Sequence, residues 1–195
     1  MRSKNQLGAL LERSLSRLQS TKAAALIEFA VALPLLVVLV VGIFDFGGAF
    51  NLKQQLNNAV REGATFGASE PTDDLLNNGT PPSVDAVRYL VASYLLAARL
   101  NACGLDTMPA PGNQSAPMTW TYSATGCAPS LVLTIQRPCI TASCPSMLGA
   151  YMPYTNVTIS YPYQWHFNNV IQLLVPGAHY TLTSITTNAT AANLD

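Results

Sequence analysis

One stretch of the sequence decides the fold: residues 23–44 read AAALIEFAVALPLLVVLVVGIF. As a helix these 22 residues would extend about 33 Å, enough to cross the hydrocarbon core of a bilayer. The only charge in the run is the carboxylate of Glu28. On insertion scales an acidic side chain within a span costs about 2.5–3.5 kcal/mol. Glu28 therefore needs a partner, unless it lies close enough to the end of the anchor to reach the interface.

The charges of the chain are distributed unevenly, although their formal sum is zero. Five basic residues and one acid precede Ala24, whereas the remainder carries five basic and nine acidic side chains, a net charge of −4. Basic residues beside a single span hold that flank in the cytoplasm, so we expect the bulk of the chain to be exported. An acidic exported portion argues against binding to nucleic acid, which requires a clustered basic face. The apolar run is also longer than that of a cleaved secretory signal.

A second helical pattern follows Gly48 and extends the predicted helix to about 24–68, with the transmembrane part at about 24–44. Its apolar residues recur every three or four positions: Ala49, Leu52, Leu56, Ala59, Gly63 and Phe66. We interpret this stripe as the core face of the exported domain, with an oligomer seam as the alternative. Pro34 lacks an amide donor, so we expect it to kink or locally open the helix.

Several short pieces of this helix resemble one protein family. They are KAAALIEF at 22–29, LPLL at 33–36, GIFDFG at 42–47 and NAVREGA at 58–64. In this order and spacing they resemble the TadE-like family, whose members are minor pilins or pseudopilins of the bacterial tight-adherence (Tad) pilus. The resemblance covers about 22–68, roughly a quarter of the chain. Gly48 and Thr65 stand where relatives often carry Arg.

The resemblance implies the life cycle of a pilin. A prepilin peptidase would cut between Ala23 and Ala24, release the basic leader 1–23, and leave Glu28 as the fifth residue. In pilin-like proteins this Glu pairs with the N-terminal amine of a neighbouring subunit. The family favours Gly immediately before the cut, where this chain has Ala23. The alternative is an uncleaved single-span periplasmic protein that recruits another envelope component.

Partners and location also follow from the resemblance. The expected partners are the prepilin peptidase, the major pilin and other minor pilins, the pilus assembly platform of the inner membrane, and the lipid bilayer. The expected location is the bacterial inner membrane, with the N-terminus cytoplasmic and the C-terminal domain periplasmic. Incorporation into an extracellular, adhesive pilus is a further expectation.

The remainder, 69–195, reads as an exported α+β domain of pilin-like architecture. Ser83 is predicted to cap a second helix over 84–100, whose buried face would include Val84, Val91 and Tyr94. Alternating β-branched and polar residues predict about four antiparallel strands: Met118–Ser123, Leu131–Gln136, Asn156–Tyr163 and Tyr180–Asn188. Two helices followed by strands indicate an α+β fold.

The four cysteines all lie on the exported side, where an even number favours two disulfides. Three connectivities are possible. Cys139–Cys144 is the easiest because it spans a four-residue turn, and it leaves Cys103–Cys127 as the second bond. Zinc is the competing use, but the sequence contains no Cys-x-x-Cys.

Signatures of catalysis are missing from the sequence. The two histidines, His166 and His179, stand beside aromatic residues, which favours packing over general-base chemistry. Asp73 and Asp74 are predicted to lie in a solvated loop. The chain has no Gly-rich phosphate loop and no Gly-x-Ser-x-Gly. We therefore expect a protein that is not an enzyme and that uses neither cofactor nor metal; an anchored hydrolase is the weakest alternative.

Overall fold

The computed structural model describes residues 21–76, 79–111, 114–138, 154–165, 172, 177 and 184–193. The chain divides into two compact units. The first comprises Met1–Asp45 and His166–His179, and the second comprises Phe46–Trp165 and Tyr180–Asp195.

The elements occur in an α+β order, which confirms the predicted fold class. They are helix α1 (Thr21–Ser69), a short 3-10 helix (Asp73–Leu76), helix α2 (Pro82–Ala97) and strands β1 (Thr119–Ala124), β2 (Leu131–Gln136), β3 (Tyr154–Pro162) and β4 (Ser184–Ala192). The long N-terminal helix, the second helix and the four-stranded sheet were all expected from the sequence.

In the first unit, α1 presents its apolar side chains to the outside. Leu26, Leu35 and Phe44 are 69%, 73% and 76% exposed. One helix in the described part of the chain is long and apolar enough to span a membrane, and none of its most apolar 18-residue stretch is buried. Pro34 lies inside this helix, which is assigned without interruption. The kink at Pro34 remains a prediction.

In the second unit, α1 becomes part of a protein core. Leu56 and Val60 are fully buried. A Cβ built on Gly63 would lie only 2.7 Å from Cγ2 of Val91 in α2, so the two helices meet at a point where Gly leaves room for the neighbour. The stripe predicted from the sequence is thus the core face of this unit, as expected.

The sheet has the order β1-β2-β3-β4 with every pair antiparallel. One register row joins Trp120, Ile135, Val157 and Ala189. The first three of these side chains are fully buried, while the intervening residues of each strand point to the other face. This alternation is the period-two pattern from which the strands were predicted.

The N-terminus of α2 differs from the prediction. Pro81 is the N-cap residue and Pro82 the first helical residue, so Ser83 does not cap the helix. Ser83 instead donates from Oγ to Asp74 Oδ1 and from its amide to Asp74 Oδ2, each at 2.9 Å. The capping carboxylate therefore comes from the 3-10 helix. The expectation that Asp74 lies in a solvated loop is wrong.

The C-terminus of α2 also lies earlier than predicted, at Ala97 instead of Leu100. Arg99 adopts a left-handed conformation with φ 59°, its amide bonds to Leu96 O, and the amide of Leu100 bonds to Leu95 O. This is the Schellman arrangement that ends helices. Tyr94, predicted to be buried, is 38% exposed.

The boundaries of three strands, β1, β3 and β4, differ from the prediction. Met118 has φ 52°, which no strand residue adopts, so β1 begins at Thr119. β3 starts two residues earlier than predicted because Tyr154 pairs with Ala192. The same pairing extends β4 past Asn188. The first residues predicted for that strand, 180–183, lie outside the described residues.

Candidate functional site

The first candidate site is the beginning of α1, where the processing residues and Glu28 were predicted. Ala23 is half-buried, whereas Ala24 and Glu28 are exposed and lie one helical turn apart. Leu26, Ile27 and Phe29 around them are between 58% and 69% exposed. Among the described residues no hydrogen bond or ion pair reaches the Glu28 carboxylate. The arrangement leaves the carboxylate of Glu28 accessible to a partner.

The second candidate site is a buried polar cluster in the second unit, which the sequence analysis missed. Arg88 is 1% exposed, and its Nε and Nη2 donate to the two oxygens of Asp85 at 2.7 and 3.1 Å. Its Nη1 also donates to the carbonyls of Leu105 and Asp106. The Tyr122 hydroxyl donates to Asp85 Oδ1 at 3.3 Å. The cluster links α2 to β1 and to the loop after α2.

Electrostatics in this cluster favour a fixed protonation state. Burial raises the pKa of the Tyr122 hydroxyl, and the nearby negative charge of Asp85 adds to the effect. Burial alone would lower the pKa of Arg88, but its hydrogen bonds and charge interactions with Asp85 and Tyr89 together outweigh that and raise it. The guanidinium also lies 3.8 Å from the ring centroid of Tyr89. A neutral tyrosine and a permanently charged arginine make this a structural clamp, because neither group is poised to exchange a proton near neutral pH.

A second buried arginine joins β2 to the segment before α2. Arg137 is fully buried, and its Nη1 donates to Ser83 Oγ at 2.6 Å and to Pro71 O at 3.2 Å. Its Nη2 donates to Glu70 O at 2.8 Å. Arg137 thereby fixes the chain where it leaves α1 and starts toward α2.

The structure joins Cys103 and Cys127 by a disulfide that closes a sequence separation of 24 residues. The bond connects the loop after α2 to the turn between β1 and β2. Cys139 and Cys144 lie outside the described residues, so the second predicted disulfide remains a prediction. Within the described ranges, no group of His, Cys, Asp or Glu is arranged to hold a metal ion. Both His166 and His179 also lie outside those ranges.

The sequence does contain patterns from which the buried clusters of Arg88 and Arg137 could have been predicted. Asp85 and Arg88 are three residues apart, which is the spacing of an ion pair on one helix face. Arg137 follows Leu131, Leu133 and Ile135 at period two and thus continues the inward face of β2. A buried arginine charge is costly, and burial is possible here because several donors of Arg88 and Arg137 bind nearby acceptors.

Comparison with known proteins locates the resemblance on α1. A family model described as TadE-like protein matches residues 23–65. No curated protein and no solved structure matches the chain. The match ends four residues before the end of α1 and includes both the membrane-suited half and most of the half that packs in the second unit. Over residues 23–65, the chain is therefore similar to TadE-like proteins.

Proposed function

We propose that this chain is a minor pilin that takes part in the assembly of a Tad-type pilus for adhesion. The observation that carries the proposal is one continuous helix with two surfaces. Its first part exposes apolar side chains around Glu28, and its second part is built into a folded domain. Such an element can lie in lipid before assembly and against other helices after it.

Processing would create the charge that Glu28 requires. A cut between Ala23 and Ala24 removes the leader 1–23 and leaves an ammonium group on Ala24. An ammonium and a carboxylate that are each unpaired in lipid are both unfavourable, and pairing between neighbouring subunits relieves both. The pair would also fix the axial position of an incoming subunit.

The remaining parts of the proposal concern location and partners. The helix would anchor the protein in the inner membrane, with the leader cytoplasmic and the second unit periplasmic, because the basic residues of the chain concentrate in the leader. The prepilin peptidase would bind the segment around the cut, and the major pilin, other minor pilins and the assembly platform would bind the processed form. The bilayer is the partner of the unassembled helix.

Intact mass of the membrane-extracted protein tests the processing step. We expect a product that begins at Ala24 and that is replaced by the leader-bearing form in a strain without the peptidase. Ala23→Gly should be cut at least as completely, and Ala23→Leu should accumulate with its leader. A wild-type protein that keeps its leader in the presence of the peptidase would contradict processing and favour an uncleaved anchored protein that recruits another envelope component.

Glu28 variants test the pairing step separately. Glu28→Gln keeps the shape of the side chain but removes its charge, and Glu28→Asp keeps the charge on a shorter side chain. We expect both to insert into the membrane and only Glu28→Asp to enter sheared pili in quantity. Normal amounts of Glu28→Gln in pili would refute the role given to this carboxylate.

A further inference from the structure

Three aromatic side chains of the second unit, Phe46, Tyr163 and Trp165, form a group where α1 leaves its apolar run. Together with Phe50, which follows Phe46 on α1, we refer to them as the aromatic collar. The rings of Phe46 and Trp165 meet edge to face with centroids 5.4 Å apart, and those of Tyr163 and Trp165 with centroids 4.9 Å apart. Phe46 and Phe50 are one helical turn apart and are 60% and 64% exposed. Large exposed aromatic side chains on a folded unit indicate a surface that contacts something other than water.

The collar is held in place by the close approach of two segments. The hydroxyl of Tyr163 lies 3.3 Å from the position that a Cβ on Gly48 would occupy. Any side chain longer than that of Gly would push the hydroxyl aside. Gly48 thus allows the segment after β3 to lie against α1, which places Trp165 on Phe46.

The position of the collar along α1 matches the depth of the lipid headgroups. Phe46 and Phe50 follow Phe44, the last residue of the apolar run, by about 3 and 9 Å along a helix axis at 1.5 Å per residue. The headgroup region adds roughly 5–8 Å to each side of the hydrocarbon core. A helix whose apolar run fills the core therefore carries Phe46 within the headgroup region and Phe50 at its outer limit.

The chemistry of the collar also fits this region. Trp and Tyr have an apolar ring and a polar tip, and they concentrate at membrane–water interfaces for that reason. The two segments that supply the collar, 46–52 and 160–165, contain no charged residue, and the first charge after Phe46 is that of Lys53. A partner surface recognised by charge would require ionic groups that these segments lack.

We propose that the aromatic collar lies in the headgroup region of the leaflet from which α1 emerges and seats the second unit on the lipid surface. This inference rests on the membrane anchoring that is part of the proposed function. This contact with the headgroups orients the second unit before assembly. It restricts rotation of the unit about α1, which would otherwise be the sole attachment of the unit to the bilayer.

Quenching of tryptophan fluorescence in vesicles tests the contact between the aromatic collar and the headgroups, with the full chain. The protein has two tryptophans, and Trp120 is fully buried with its Nε1 donating to Gly79 O, so it provides an internal reference. We would reconstitute the wild type and the Trp165→Phe variant into phosphatidylcholine vesicles brominated either near the headgroup or deep in the acyl chains. We expect bromine near the headgroup to quench the wild type more than deep bromine, and the extra quenching to disappear in Trp165→Phe.

Equal quenching of the wild type and of Trp165→Phe would refute the contact between the aromatic collar and the headgroups. Extraction of the same vesicles with alkaline carbonate separates this failure from failure of the anchor. Protein that resists extraction but shows no quenching at Trp165 is anchored by α1, but its aromatic collar does not contact the headgroups. Release of the protein by carbonate would refute both the membrane anchoring and the contact between the aromatic collar and the headgroups.

Discussion

The two halves of α1 share one backbone but differ in their surroundings. Through the first half, apolar residues cover every side of the helix and are exposed, as Leu26 and Phe44 illustrate. Through the second half, apolar residues occupy one stripe and are buried, while Lys53 and Arg61 remain exposed on the other side. A helix that is apolar all round matches lipid or neighbouring helices, and a one-sided helix matches a protein core. The change of pattern therefore fits an element whose first half lies in lipid and whose second half lies in a protein core.

The largest expected difference between the halves concerns the removal of a leucine. Leu56→Ala should lower the free energy of unfolding of the second unit by about 2–5 kcal/mol, because it removes a fully buried side chain and leaves a cavity. Leu36→Ala, in the first half, should leave that free energy unchanged because Leu36 is 50% exposed. Denaturant unfolding in mild detergent, followed by the near-UV circular dichroism that includes Trp120, measures both. Equal effects of the two variants would remove the distinction between the halves.

A smaller effect is expected where a helix residue must stay small. Gly63→Ala should destabilise the second unit by about 1–3 kcal/mol, because the new Cβ would lie 2.7 Å from Cγ2 of Val91. Gly47→Ala meets no atom within 4 Å and should stabilise the helix by about 0.5–1 kcal/mol through helix propensity. Unfolding midpoints of the two variants locate the point at which α1 enters the core. Destabilisation by Gly47→Ala would place that point nearer to Phe46.

The smallest effect is a pH dependence confined to the second unit. Burial raises the pKa of Tyr122 and of Tyr161 in the folded state, so each tyrosine contributes stability that is fully present below about pH 10 and is lost as the pH rises further. Each should contribute a loss of about 1.4 kcal/mol per pH unit in that range. Above about pH 10, the free energy of unfolding of Tyr122→Phe should therefore fall less steeply with pH, by about 1.4 kcal/mol per pH unit. An unchanged slope would contradict the burial of the hydroxyl as the cause.

Much of this comparison could be predicted from the sequence, because both halves of α1 are governed by local patterns. The helix was expected to end near Ala68 and ends at Ser69, and the bounds of β2 agree with the prediction. Periodicity fixes which residues share a face, and hydrophobic burial then selects the buried face. The TadE-like resemblance also lies on this helix, where it is confirmed over residues 23–65.

What escaped prediction depends on contacts between segments that are distant in sequence. Asp74 was expected in solvent, but it binds Ser83 nine residues later and displaces the predicted cap. Arg137 becomes buried because carbonyls more than sixty residues earlier accept its hydrogen bonds. The aromatic collar likewise requires β3 to deliver Trp165 to Phe46. A local pattern carries no information about such partners, so the sequence could indicate the core but not the polar contacts that fix its edges.

The most direct test of whether α1 crosses a membrane uses the leader-bearing protein from a strain without the peptidase, which keeps all three native lysines, Lys4, Lys22 and Lys53. Lys53 is exposed on the second unit, and the other two precede the apolar run. A membrane-impermeant amine reagent applied to intact spheroplasts should label Lys53 alone, whereas amines on the N-terminal side of the run should be labelled only after lysis. Protection of Lys53 in intact spheroplasts, or labelling of Lys22 before lysis, would contradict a first half that lies across the membrane.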